Sequence, residues 1–206
     1  MTMCTPPAFA IDLYHLDHVL SAIYRLHNVY CLHVDSSSAS VFREAVTKLT
    51  TCFSNILLSD RTYDVAASGR NTPLAYLSCA RVLRGFKWRY MITLQGHDFP
   101  LKTSAQMAAI LTILNGTNDV ELRKPPRSHQ ASLQRLKDKM AAGHSPVYKG
   151  SVAAALSRSF VEFVLGNRLP SSAGALPTPL SQSRGDLNSV TLFHAVLPLK
   201  PTSHHP

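Results

Sequence analysis

Between residues 11 and 116, short β-rich apolar runs alternate with segments of helical periodicity, and the connections between them are brief. No other feature of the chain restricts its fold as tightly. Ile11, Leu16, Val19, Leu20 and Ile23 recur at helical spacing to about Leu26, with Asp12 and Asp17 early, where the helix dipole favours negative charge. Asn28-Val-Tyr-Cys-Leu-His-Val34 has the composition of a buried strand and runs into Asp35 and three serines, the chemistry of a helix-capping loop. A second helix follows over residues 41–52, then a short strand at Ile56-Leu-Leu58. Thr72-Pro73 is an N-cap and first-turn pair for a helix to about Leu83, and Tyr90-Met-Ile-Thr-Leu94 is a third strand. Thr103 caps a helix that Asn115-Gly116 ends.

This order predicts βαβ units and an α/β fold, doubly wound, with a mainly parallel sheet whose ligand crevice lies at the carboxyl ends of the strands. Asp35 and the loop that starts at Gln95 both stand at such ends. Residues 147–152 read as a further strand and residues 157–165 as an amphipathic helix stopped by Gly166-Asn167. Beyond Arg168 periodicity fades, and six of the thirteen prolines fall in residues 168–206. The expected organisation is an unstructured start over 1–10, one domain over 11–167, and a Pro-rich loop or disordered tail over 168–206.

Composition narrows the function classes. With 45% apolar and only 16% charged residues the chain can build a core, and its +9 net charge suits a phosphate-bearing partner, either nucleic acid or a sugar nucleotide. The basic segment 122–139 has no interleaved aromatic residue to stack bases, so it reads first as a solvated loop and helix face. No apolar run is long enough for a membrane span, and the first residues lack the pattern of a signal peptide. Dinucleotide, P-loop, esterase and zinc-protease motifs are absent, as is any Asp-x-Asp pair that would hold a divalent metal on a diphosphate. His15, Asp17 and His18 share one helical turn, but a zinc site needs three or four converging groups and nothing nearby supplies the rest; His204 and His205 sit in the tail, so no metal site is expected. Asn115-Gly-Thr117 fits a glycosylation sequon, which carries meaning only in a luminal chain.

Five ordered pieces make the pattern specific: Asn28-Val-Tyr-Cys-Leu-His-Val-Asp35, Cys52-Phe-Ser-Asn55, the run from Lys87 through His97-Asp-Phe-Pro-Leu-Lys-Thr103, Asn118-Asp-Val-Glu121, and Tyr148-Lys-Gly-Ser-Val152 with Leu156-Ser-Arg158. Together they resemble the core-2/I-branching β-1,6-N-acetylglucosaminyltransferase family over roughly residues 12–167. The resemblance implies a variant GT-A (Rossmann-like) fold and a Golgi-lumen type II membrane enzyme. Such an enzyme transfers GlcNAc from UDP-GlcNAc to a glycan hydroxyl with inversion and without metal. It implies that Asp35 contacts the uridine end of the donor, with helix capping as the competing reading. It implies that Glu121 binds the acceptor, with an ion pair to Arg123 or Lys124 as the alternative. A Cys31–Cys79 disulfide and an oxidising compartment are implied as well, whereas Cys52 lacks its usual upstream partner and Cys4 lies outside the matched pieces.

The resemblance also sets expectations of loss. An anchor, a stem and the first strand of the family sheet precede the matched region in the family. Its general-base Glu and its diphosphate-binding Arg and Lys follow that region, where this chain reads Ser181-Gln-Ser-Arg-Gly-Asp186. Asp186 stands near the expected spacing, but its neighbours do not match, so it reads as a loop residue first and as a catalytic carboxylate second. The expectation is a fold incomplete at both ends and a weak or inactive transferase. Its rivals are a non-catalytic remnant that binds a UDP-sugar or a partner and, favoured by charge alone, a nucleic-acid module.

Overall fold

A computed structural model describes residues 11–65, 70–95, 98–124, 150–151, 153–166 and 190–196. Helix α1 (Ile11–Ile23) leads into strand β1 (Val29–Val34), α2 (Ser40–Cys52) and β2 (Ile56–Leu58). Then come α3 (Thr72–Leu83), β3 (Tyr90–Gln95), α4 (Ser104–Leu114), β4 (Ala154–Ser157), α5 (Arg158–Gly166) and β5 (Val190–Val196).

Local chemistry accounts for the ends of these elements. At α4, Thr103 accepts from the Gln106 N–H at 3.3 Å while Gln106 Oε1 accepts from the Thr103 N–H at 3.0 Å, a reciprocal capping box. Asn115 closes the same helix with φ 43° and Gly116 follows at φ 93°, both in the left-handed region that ends helices. At α3 the cap lies one residue earlier than expected: Asn71, at φ 64°, is the N-cap and Thr72 is already helical. Asn71 tolerates that conformation, and its side-chain amide donates to the Asp64 carbonyl at 2.8 Å.

The strands form one five-stranded sheet in the order β2-β1-β5-β3-β4. β1 is parallel to β2, with Tyr30 opposite Ile56, but antiparallel to β5; β3 is antiparallel to both β5 and β4. Thus β1, β2 and β3 point one way, β4 and β5 the other, and only one neighbouring pair is parallel. The sheet is mixed, which corrects the expectation of a mainly parallel one. The cause is the source of the neighbours: β5 comes from residues beyond α5 and enters between β1 and β3 in reverse sense, and β4 lies antiparallel beside β3. The strand expected over 147–152 falls mostly outside the described residues, of which Gly150 and Ser151 belong to no strand; a strand is seen at Ala154–Ser157, where Thr93 Oγ1 accepts from the Ala154 N–H at 2.9 Å and fixes the register. One further correction follows. Within the segment read as loop or disorder, Val190–Val196 is a strand.

Helices cover both faces. Tyr30, Leu32 and Val34 pack against Leu16, Val19 and Leu20 of α1 and Phe42 and Val46 of α2, and α4 lies on the same side through Leu111. Val29, Cys31 and Met91 pack against Cys79, Ala80 and Leu83 of α3 and Val161 of α5. Each fully buried large side chain of this kind contributes roughly 1.5–3 kcal/mol. Residues of the recognised motifs serve the scaffold too. Asn55 ties the turn ahead of β1 through the Arg25 and Asn28 carbonyls, and the Tyr90 hydroxyl accepts from the Gly116 N–H at the end of α4. The Arg158 guanidinium lies 4.6 Å from the Trp88 ring centre and donates to the Arg84 and Phe86 carbonyls after α3.

Candidate functional site

Because β1, β2 and β3 share a direction, their carboxyl ends meet at one edge of the sheet, where an α/β fold places its ligand crevice. Asp35 follows β1 there and is 2% exposed. Its Oδ1 accepts from the Ser37 N–H at 2.7 Å and from the Ser37 hydroxyl at 2.5 Å, and its Oδ2 accepts from the Val65 N–H at 2.5 Å. The carboxylate therefore clamps the turn after β1 to the loop after β2. It does not cap α2, whose N-cap is Ala39 with no side-chain hydrogen bond. The same two loops are laced by Ser36 N–H to the Tyr63 carbonyl at 3.1 Å and Ser59 N–H to the Leu32 carbonyl at 3.0 Å.

Two residues before Asp35, His33 is almost fully buried. The Ser59 hydroxyl donates to the Arg61 carbonyl at 2.9 Å, so in its 3.0 Å contact with His33 Nδ1 it is the acceptor, and the imidazole carries its proton on Nδ1. His33 Nε2 is then a buried acceptor that no described residue satisfies. The ring stacks on Tyr63 at 5.9 Å between centres. Burial holds the imidazole pKa below its ordinary value, opposed by the nearby Tyr63 and Arg61 backbone and by the charge of Asp35. Sequence reasoning passed over His33; its signal was a lone titratable residue in an otherwise apolar strand.

The loop after β2 is braced from α3. Arg81 Nε donates to Asp60 Oδ2 at 2.7 Å and a second guanidinium nitrogen reaches Oδ1 at 3.1 Å, while the Ser78 hydroxyl also donates to Asp60. Arg81 and then Ser78 hold the Asp60 carboxyl below the usual carboxylate range. Farther along, Arg70 pairs with Asp64 at 2.5 Å. After β3, Asp98 Oδ2 accepts from the Gln95 N–H at 2.7 Å and closes that loop.

Glu121 stands at the far side of the same edge. Asp119 bridges to Ala155 of β4, and the chain then runs past Ala154 toward the carboxyl end of β3. Four strand spacings separate this line from β1, or about 19 Å at ~4.8 Å each. Asp35 and Glu121 thus stand too far apart for a single small group to touch both. Glu121 is exposed and ion-paired with Arg123, the alternative that the sequence left open. Gly150 packs onto it so closely that a Cβ there would lie 2.9 Å from the Glu121 carbonyl oxygen, which gives the Tyr-Lys-Gly-Ser piece a physical reason for its glycine. Between α3, α5, β3 and Val120 is a cavity of about 340 Å³ lined by Tyr76, Thr93, Ser151 and Phe160 among others. Burial, with Asp98 second, pushes the Tyr76 phenol up to about 12.

Cys31 of β1 and Cys79 of α3 form a disulfide, as the resemblance implies. Cys52 is disulfide-bonded too. Asn115 is exposed at the end of α4. Asp186 and residues 125–139 of the basic segment lie outside the described residues. Among the described residues no three His, Cys, Asp or Glu side chains converge as metal ligands, and no helix is long and apolar enough to cross a membrane.

The model of the core-2/I-branching enzyme family matches residues 8–174. Human β-1,3-galactosyl-O-glycosyl-glycoprotein β-1,6-N-acetylglucosaminyltransferase is 28% identical over 233 residues, covering 91% of this chain and 54% of its own length. The enzyme of that name from Bos taurus is 32% identical over 183 residues, covering 79% of this chain and 43% of its own. A third, from Rattus norvegicus and numbered 3 in its name, is 30% identical over 74% of this chain and 38% of its own. The chain spans about half or less of the length of these relatives.

Proposed function

The chain belongs to the core-2/I-branching enzyme family, and on that premise we propose that it acts in the transfer of GlcNAc from UDP-GlcNAc to a glycan hydroxyl, with inversion at the anomeric carbon. The observation that carries the reading is the family match itself, which spans every loop of the edge where β1, β2 and β3 end. The relatives' names support an O-linked galactosyl glycan of a glycoprotein as the acceptor class. In this reading the sheet is a variant GT-A sheet, doubly wound in descent. Asp35 meets the uridine end of the donor and Glu121 receives acceptor hydroxyls, releasing Arg123 as it does so. A carboxylate accepts two sugar hydroxyls well. No metal takes part, a view supported by the lack of any Asp-x-Asp pair in the sequence. The location is the Golgi lumen, with membrane association in the longer family enzymes, and there Asn115 carries a glycan.

A second reading, donor binding without turnover, is favoured by one specific feature. Both oxygens of Asp35 already hold loop groups, Glu121 is ion-paired, and no described carboxylate is assigned as the general base. One experiment separates the two. The chain is incubated with radiolabelled UDP-GlcNAc and an aryl glycoside of galactosyl-β-1,3-GalNAc, with and without EDTA. Labelled trisaccharide formed equally in both supports the transferase; stabilisation by UDP-GlcNAc without product supports the binding remnant.

A further inference from the structure

The centre of the sheet is filled from outside the family-matching segment. The match ends at residue 174, yet β5, Val190–Val196, lies between β1 and β3. We infer that β1 and β3 frame a strand-acceptor groove, and that Val190–Val196 is a donor strand which an extended peptide of the same sequence can replace in trans.

The backbone demands an occupant. β1 pairs with β5 from Val29 opposite Ala195 to Val34 opposite Val190, and β3 pairs with it from Tyr90 opposite Val196 to Gln95 opposite Thr191. Tyr30, Cys31, Leu32, Tyr90 and Met91 are all at most 2% exposed. Without β5, the facing N–H and C=O groups of both strands would be orphaned in the interior, where such groups are nearly always paired. With them unpaired the sheet would separate into a β2-β1 half and a β3-β4 half.

The occupant is also separable. β1 and β3 run the same way, so no hairpin to either neighbour explains a strand of opposite sense between them, and the ladders that hold β5 are both long-range in sequence. Twenty-three residues, 167–189, separate it from α5, and no described element follows it. Its sequence, Val-Thr-Leu-Phe-His-Ala-Val, suits a strand covered on both faces, and its mode of binding is strand addition, in which main-chain bonds supply affinity. The groove thus takes an extended, β-forming, largely apolar segment of about seven residues, oriented with its amino end beside Asp35.

The test uses the full chain with a single protease site introduced after Pro177, cut once folded. The freed C-terminal fragment is expected to co-elute with the body, with the amides of residues 29–34 and 90–95 still protected from hydrogen exchange. A labelled synthetic peptide of residues 188–198 is expected to displace it, and the same peptide with Phe193→Pro to compete at least about tenfold less well, since proline removes a ladder donor and strains the strand. Loss of the fragment while those amides remain protected would overturn the inference. So would equal competition by the proline peptide.

Discussion

Removing the Cys31–Cys79 disulfide tests how β1 is held to the helix behind it. Both cysteines are fully buried, and the bridge joins residues 48 apart in sequence. In the chain-entropy account a loop of that size costs the unfolded chain about 14 cal/mol/K, or ~4 kcal/mol at 25 °C. Total stabilities of domains this size run at roughly 5–15 kcal/mol, so the loss is a large fraction of what holds the fold together. The double variant Cys31→Ala, Cys79→Ala also leaves two small voids among Val29, Ala80, Leu83 and Met91, which add to the cost. Urea denaturation followed by far-UV circular dichroism gives the readout. With a slope of about 2 kcal/mol/M, the midpoint should fall by ~2 M. A fall below about 0.5 M would refute the reasoning, because β1 would then owe little to its covalent tie with α3. So would peptide mapping of the oxidised wild-type protein that finds both thiols free.

Three further outcomes follow from the geometry. His33 has a folded pKa below its ordinary value, so the unfolded chain binds the extra proton as pH falls; the stability His33 contributes is complete above about 6.5 and is lost toward the lower folded value. Urea midpoints at pH 7.5, 6.5 and 5.5 should decline for the wild type and decline less for His33→Gln, and equal slopes would contradict the buried neutral imidazole. Gly150→Ala pushes a methyl against the Glu121 carbonyl oxygen and should cost about 1–3 kcal/mol, with faster hydrogen exchange at residues 119–123; an unchanged melting temperature and exchange pattern would count against the close approach. Arg158→Ala removes the cation over Trp88 and two hydrogen bonds to carbonyls, for roughly 2–4 kcal/mol, and a quenched Trp88 fluorescence change on unfolding should accompany it; a loss under about 0.5 kcal/mol would show that α5 does not need this tie.

Local chemistry was legible in the sequence, and long-range pairing was not. The Thr103 cap, the Asn115-Gly116 stop and the apolar run of β1 are written in neighbouring residues, and the structure has all three. The direction of the sheet depends on which strand lies between β1 and β3, and nothing near those strands says that residues 190–196 do. Val-Thr-Leu-Phe-His-Ala-Val was in principle a strand signal, but the surrounding prolines and the lack of a neighbouring helix masked it. Asn71 was missed as a cap because its positive φ and its hydrogen bond to Asp64, seven residues upstream, leave no mark in the neighbouring residues. The site divides in the same way. The position of Asp35 at a strand end was readable, but its partner Val65 lies thirty residues on. His33 was unremarkable until Ser59 and Tyr63 closed over it.

The account rests on the edge formed by the ends of β1, β2 and β3 being a nucleotide-sugar site. An NMR titration of the isotope-labelled chain with UDP-GlcNAc, and with AMP as control, addresses that directly. The prediction is saturable amide shifts at residues 33–38, 59–65 and 95–98 with UDP-GlcNAc and much smaller ones with AMP. No saturable shift up to millimolar UDP-GlcNAc, or equal shifts with AMP confined to the basic segment 122–139, would contradict it.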